Sequence, residues 1–208
     1  MRRCPLRRYC VPTHDGGGTV TPPRGAGADE PALTCSHEVS RTVCCEGISV
    51  NCLAVVLGLI VSLRTDGVLT AWSLVTGAFE ATLAGHDGSA RALCALTDGS
   101  NWLLSGDSGG VILAHDVATA RDGAAVQPAR RYSVRQDHVQ AIIELPGGRF
   151  GVGGEDDVIR ICGTESGASI AALVGTTGSA YHMVMALADE HTLVSCSGIK
   201  QLNVWDLR

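Results

Sequence analysis

A few residues in this chain have types and spacings that suggest reactive chemistry. His115-Asp116 sets an imidazole beside a carboxylate, the ingredients of an acid–base dyad. Cys35, His37, Cys44 and Cys45 cluster, as do Cys4 and Cys10, which raises the question of zinc. Glu155-Asp156-Asp157 is an acidic trio with calcium-ligand chemistry, and Gly151-Val152-Gly153-Gly154 has the glycine density of a phosphate loop. Each meets a physical objection. Neighbours on a strand face opposite sides, so His115 and Asp116 do not converge on one substrate. No Cys-x-x-Cys pair is present. A calcium loop needs more oxygen ligands at alternating positions. The glycine run lacks the Lys-Ser/Thr of a P-loop. The expectation is a chain that is not an enzyme, with no catalytic residues, no metal and no cofactor.

The elements that carry these residues read as short strands. Apolar runs alternate with turn signals at Asp66-Gly67, Asp98-Gly99, Gly109-Gly110, Gly147-Gly148 and Gly198. Val68–Trp72, Val111–His115, Val158–Cys162 and Leu202–Trp205 are rich in strand-forming residues. No window carries a 3.6-residue apolar stripe of helical length, so the expected class is all-β. The 26 glycines, without a collagen period, fit many tight turns. The longest apolar run, Cys52–Leu63, is well short of the ~20 residues that span a bilayer, so no membrane span is expected.

The runs also repeat. Trp72, His115, Cys162 and Trp205 hold the same place in successive copies, separated by 43, 47 and 43 residues. A period of ~40–45 residues with several short strands per unit is that of a propeller blade. The last copy ends in Trp205-Asp206. Leu83-Ala84-Gly85-His86, followed by strand-like Arg91–Leu96, then Leu103–Gly106 and Val111–Asp116, completes the pattern. On these residues the chain resembles the WD40-repeat family over roughly residues 34–208, in copies at about 34–77, 78–120, 121–167 and 168–208.

The resemblance implies a hydrogen-bonded set in each blade that joins a turn Asp, the Gly-His histidine, a strand Ser or Thr, and the Trp. The first copy offers His37, Ser62, Asp66 and Trp72. The second offers His86 and Ser105, with Gly109 at the Asp position and His115-Asp116 in the Trp-Asp slot. In the third, Asp156 remains, while Val152 replaces the Ser, Cys162 the Trp, and Arg135 stands near the His position. The fourth keeps Ser195, Trp205 and Asp206, with Thr176 and Ile199 at the His and Asp positions. Only the first copy is expected to hold the full set, and the others to be looser by about 1 kcal/mol per missing bond.

Four blades are fewer than the family's usual seven, and the fourth ends after its third strand. The expectation is an incomplete propeller, an open ring of about four blades. Either the chain is a fragment of a longer WD40 protein, or a partner or oligomer covers the open ends. Residues 1–33 read as a disordered tail, basic and rich in Gly and Pro, with Arg2, Arg3, Arg7, Arg8 and Arg24 against Asp15, Asp29 and Glu30. The remainder holds eleven basic and eighteen acidic residues. An acidic body suits nucleic acid poorly, because binding a phosphate backbone needs Lys and Arg to release counterions. Nine cysteines without a secretory signal suggest reduced thiols and a cytoplasmic setting, a nuclear one being the alternative. The resemblance implies a scaffold for protein–protein interaction. Arg130, Arg131, Tyr132 and Arg135, after the longer insertion Ala120–Gln127, form the basic cluster available to an acidic protein partner.

Overall fold

The computed structural model describes residues 49–134, 138–156, 158–175, 184–197 and 201–208. The tail at 1–33, His37, Arg135, Asp157, Thr176, Gly198 and Ile199 lie outside them, as do Cys4, Cys10, Cys35, Cys44 and Cys45.

Sixteen strands form four sheets among the described residues, antiparallel except for one parallel pair, and one 3-10 turn, Val117–Thr119, stands beside them. The first holds β1 (Val50–Val56), β2 (Leu59–Arg64), β3 (Leu69–Ser73) and β4 (Phe79–Leu83). The second holds β5 (Ala90–Ala95), β6 (Trp102–Asp107), β7 (Val111–Asp116) and β9 (Arg130–Ser133). The third holds β10 (Ala141–Leu145), β11 (Arg149–Gly153), β12 (Val158–Gly163) and β13 (Ser169–Val174). The fourth has three strands, β14 (Val184–Leu187), β15 (Thr192–Ser197) and β16 (Gln201–Asp206). Within the sheets most neighbours are joined by short turns, which link only antiparallel strands, while β7 reaches β9 through the longer segment 117–129.

The innermost strands β1, β5, β10 and β14 lie against one another in that order, and the array does not close into a ring. Register puts the four marker residues in equivalent places. Trp72 stands opposite Ile60, His115 opposite Leu103, Cys162 opposite Phe150, and Trp205 opposite Leu193, always between second and third strands. The expected four-copy register therefore holds.

Three apolar joints hold the sheets together. Val61, Leu63, Leu69 and Leu83 of the first sheet meet Ala90 and Leu103 of the second. Leu104, Ile112 and Tyr132 of the second meet Phe150, Val152 and Cys162 of the third. Ile159 and Ile161 of the third meet Leu193 and Trp205 of the fourth. Close backbone approach helps set the first spacing. A Cβ on Gly85 would stand 2.2 Å from the Gly67 carbonyl oxygen, and Gly67 itself has φ of 84°. The glycine of Gly-His is thus required by contact with the turn of the preceding sheet.

The insertion is not a free loop. Its residues Ala124–Val126 form β8, which adds in parallel to β4 and makes the first sheet five-stranded. Ala120 and Val126 are buried there. Arg130–Ser133 then returns as the outer strand of the second sheet, paired with β7. Arg130, Arg131 and Tyr132 of the basic cluster therefore lie on an outer strand.

Phe150 is fully buried in the second joint. Truncation to alanine removes its contacts with the second sheet and leaves a cavity. Urea titration of Phe150→Ala should show a loss of about 3–5 kcal/mol with little change in the slope.

Candidate functional site

The polar groups with the best geometry sit in the first joint. His86 is held in the connection between β4 and β5, where its N–H donates to the Gly67 carbonyl at 3.3 Å. Its ring lies between Ser105 and Asp107 on β6, with Nε2 2.8 Å from Ser105 Oγ and Nδ1 2.9 Å from Asp107 Oδ2. Asp107 Oδ1 accepts from the backbone N–H groups of Gly109 and Val111, both at 2.9 Å. This assigns the tautomer: Nδ1–H donates to the carboxylate and Nε2 accepts from the serine hydroxyl. Burial pushes the imidazole pKa below its ordinary value, against the opposing pull of Asp107.

The second copy thus holds three of the four members, with an Asp that the repeat positions did not point to. Asp107 stands two residues after Ser105, not at the Gly109 position. Its carboxylate reaches back over the Asp107-Ser108-Gly109-Gly110 turn and does the work of the missing turn Asp. An Asp followed by Ser-Gly-Gly is an Asx-turn signal, so the sequence carried the clue.

The other copies divide by which partners remain. In the first, Trp72 Nε1 donates to Ser62 Oγ at 3.3 Å, and Ser62 donates to the Thr70 carbonyl. Asp66 serves its own turn, accepting from Val68 N–H and pairing with Arg64 at 2.7 Å. In the fourth, Trp205 Nε1 donates to Ser195 Oγ at 2.9 Å, while Asp206 pairs with Arg208. In the third, Val152 and Cys162 are both fully buried and neither needs a partner. Losing donor and acceptor together leaves nothing unsatisfied and costs little.

His115 does not join Ser105. Its Nε2 donates to the Ala84 carbonyl at 2.9 Å, bridging to the first sheet, while Nδ1 is buried without a hydrogen bond. Burial lowers its pKa to about 4. Asp116 faces the other way and caps the 3-10 turn through Ala118 N–H. Asp156 forms an ion pair with Arg160. Glu155 accepts from Gln140 at 3.2 Å.

The basic cluster is largely engaged within the fold. Arg130 lies over the Trp102 ring at 4.9 Å and donates to the Thr164 carbonyl, which also accepts from the Tyr132 hydroxyl. Tyr132 is buried against Phe150, and Arg131 is exposed. A cleft of about 140 Å³ lined by Asp98, Trp102, Arg130, Tyr132 and Thr164 lies between these sheets. It is smaller than the ~300 Å³ at which ligand pockets begin.

The described cysteines, Cys52, Cys94, Cys162 and Cys196, are free thiols. Burial pushes Cys94 up to about 11 and raises Cys52 and Cys162 as well, which keeps these thiols protonated and poorly nucleophilic. Among the described residues no three His, Cys, Asp or Glu side chains stand close enough to share a metal ion.

Two outcomes follow from this geometry. Asp107→Ala removes one of the two partners of the buried His86 ring and the acceptor of the Gly109 and Val111 N–H groups, so chemical denaturation should show a loss of about 1–3 kcal/mol. His115 has its folded pKa below the unfolded value near 6.5, so the unfolded chain binds the extra proton in between. Its contribution is full above pH 6.5 and is lost as pH falls toward about 4, by roughly 3 kcal/mol in all. Melting curves for His115→Gln against the wild type across that window should show the shallower pH dependence in the variant.

No family model and no curated protein matches this sequence. Solved structures do. The crystal structure of the RRP9 WD40 repeats matches with a TM-score of 0.68 and 20% identity, over 79% of this chain and 50% of that one. The structure of U3-55K matches at 0.69 and 20%, over 80% and 51%. The computationally designed Ika4 protein matches at 0.65 and 20%, over 78% of this chain and 93% of that one. The chain thus spans about half the length of the first two and nearly all of the third. At such identities the likeness concerns the fold, and the fold of this chain is a WD40-like β-propeller, present as four blades in an open array.

Proposed function

We propose that this chain is a non-catalytic scaffold for protein–protein interaction. The observation that carries the reading is where its reactive groups point. Ser105, His86 and Asp107 have the order and distances of a nucleophile, a base and an orienting acid. Yet all three are buried in the joint between two blades, with Ser105 wholly inaccessible. A substrate carbonyl has no route to the serine, and its hydroxyl is committed to the fold. What the blades offer to solvent is turns and strand edges, the surfaces on which propeller folds bind other proteins.

Within the described part of the basic cluster, Arg131 on β9 is the side chain exposed for contact. It faces solvent beside Arg130 and Tyr132, whose polar ends hold Thr164. An acidic protein surface is the complement it suits. Nucleic acid is a poorer match for a body with this acidic excess. Among the described residues no helix is long and apolar enough to cross a membrane. We place the protein in the cytoplasm, with the nucleus as the alternative.

Cross-linking mass spectrometry on the tagged full chain tests the reading. Partners should cross-link to the blade turns and to the β9 edge. Arg131→Glu should lower capture of acidic partners about tenfold without moving the melting temperature. Turnover in an esterase and peptidase panel that disappears in Ser105→Ala would overturn it.

A further inference from the structure

We propose that two copies of this chain join head to tail, the last blade of each covering the first blade of the other, to form one eight-bladed ring. The inference starts from the two faces of a blade, which are not alike. One face carries the marker residue Trp72, His115, Cys162 or Trp205. At all three joints in the chain this marker face packs on the opposite, plain face of the preceding blade. His115 and Leu103 meet the first sheet, Cys162 and Phe150 the second, and Trp205 and Leu193 the third.

Among the described residues two faces are left over. The first blade presents its marker face, where Leu53 and Val55 are 64% and 54% exposed and Phe79 stands edge-on to Trp72. Register places Leu53 opposite Ser62 and Val55 opposite Ile60, on the side of Trp72. The fourth blade presents its plain face. Leu202 and Val204 are 75% and 70% exposed there, and register aligns them with Cys196 and Val194. The uncovered surfaces are therefore one of each kind, the two halves of a joint the chain already makes three times. A surface made to receive a marker face is best filled by a marker face, and the nearest source is a second copy.

The numbers favour two copies. If a joint hides roughly 500 Å² on each side, one joint removes about 1,000 Å² and two about 2,000 Å², the latter typical of stable complexes. A single joint is weak. Closure makes the second joint intramolecular and adds avidity. Two chains give eight blades, inside the range of about four to eight found in propellers, whereas three would give twelve.

Sedimentation velocity and light scattering on the full 208-residue chain at micromolar concentrations provide the test. The expected species has twice the chain mass of 21.6 kDa. Leu202→Glu with Val204→Glu alters the plain face alone, and Leu53→Glu with Val55→Glu alters the marker face alone. These side chains face solvent in the isolated chain, so each variant should keep its circular dichroism spectrum. Each should weaken dimerisation at least about 100-fold. Mixing the two variants should restore a weaker heterodimer through the single intact joint, a result that misfolded variants would not give. A wild-type monomer, a dimer that survives either variant, or growth into filaments would each overturn the proposal.

Discussion

A single propeller blade cannot bury itself. Its sheet is apolar on both faces, and each face must be covered by another sheet before its Val, Leu and Ile side chains leave water. Everything else in this chain follows from that demand. Leu63, Phe150 and Leu193 are fully buried only because the next blade lies over them or under them. The blades stack in chain order because short connections bring each new sheet onto the face just completed. At roughly 25 cal/mol per Å², hiding several hundred Å² per face outweighs any single hydrogen bond in the molecule.

The polar residues then adapt to the joints. A buried donor or acceptor must find a partner, so the repeat positions are filled in matched combinations. Trp72 and Trp205 each bring a donor and a serine that accepts it. Cys162 and Val152 bring neither. His115 keeps a donor but spends it on the preceding blade at Ala84, and Ser105 turns to His86 instead. Variation at these positions is compensated within each joint, which is why the four copies superpose in register while sharing few identities.

The same accounting separates structure from catalysis. Ser105, His86 and Asp107 are aligned as a catalytic relay would be. In the joint, the alignment satisfies three buried polar groups at once, while burial favours the neutral imidazole against the pull of Asp107. The feature that distinguishes the two uses is access. A hydrolase must open its serine to solvent, and this one is sealed by the packing of the second blade on the first.

Much of this was legible in the amino-acid sequence. Repeat spacing, strand text and turn glycines determined the class, the four blades and the equivalence of Trp72, His115, Cys162 and Trp205, because these depend on local pattern and period. Other features arose only when sheets met. Asp107 enters the polar set because its carboxylate can bend back over a turn, which position counting placed two residues later. Ala124–Val126 pairs with β4, a strand some forty residues earlier, and Arg130 and Tyr132 are drawn to Thr164 across a joint. Such contacts link residues far apart in the chain, and their partners are chosen by the distance and angle between packed blades. Local residue pattern determined the elements and their repetition; tertiary packing decided which side chains became buried partners and which faces remained uncovered.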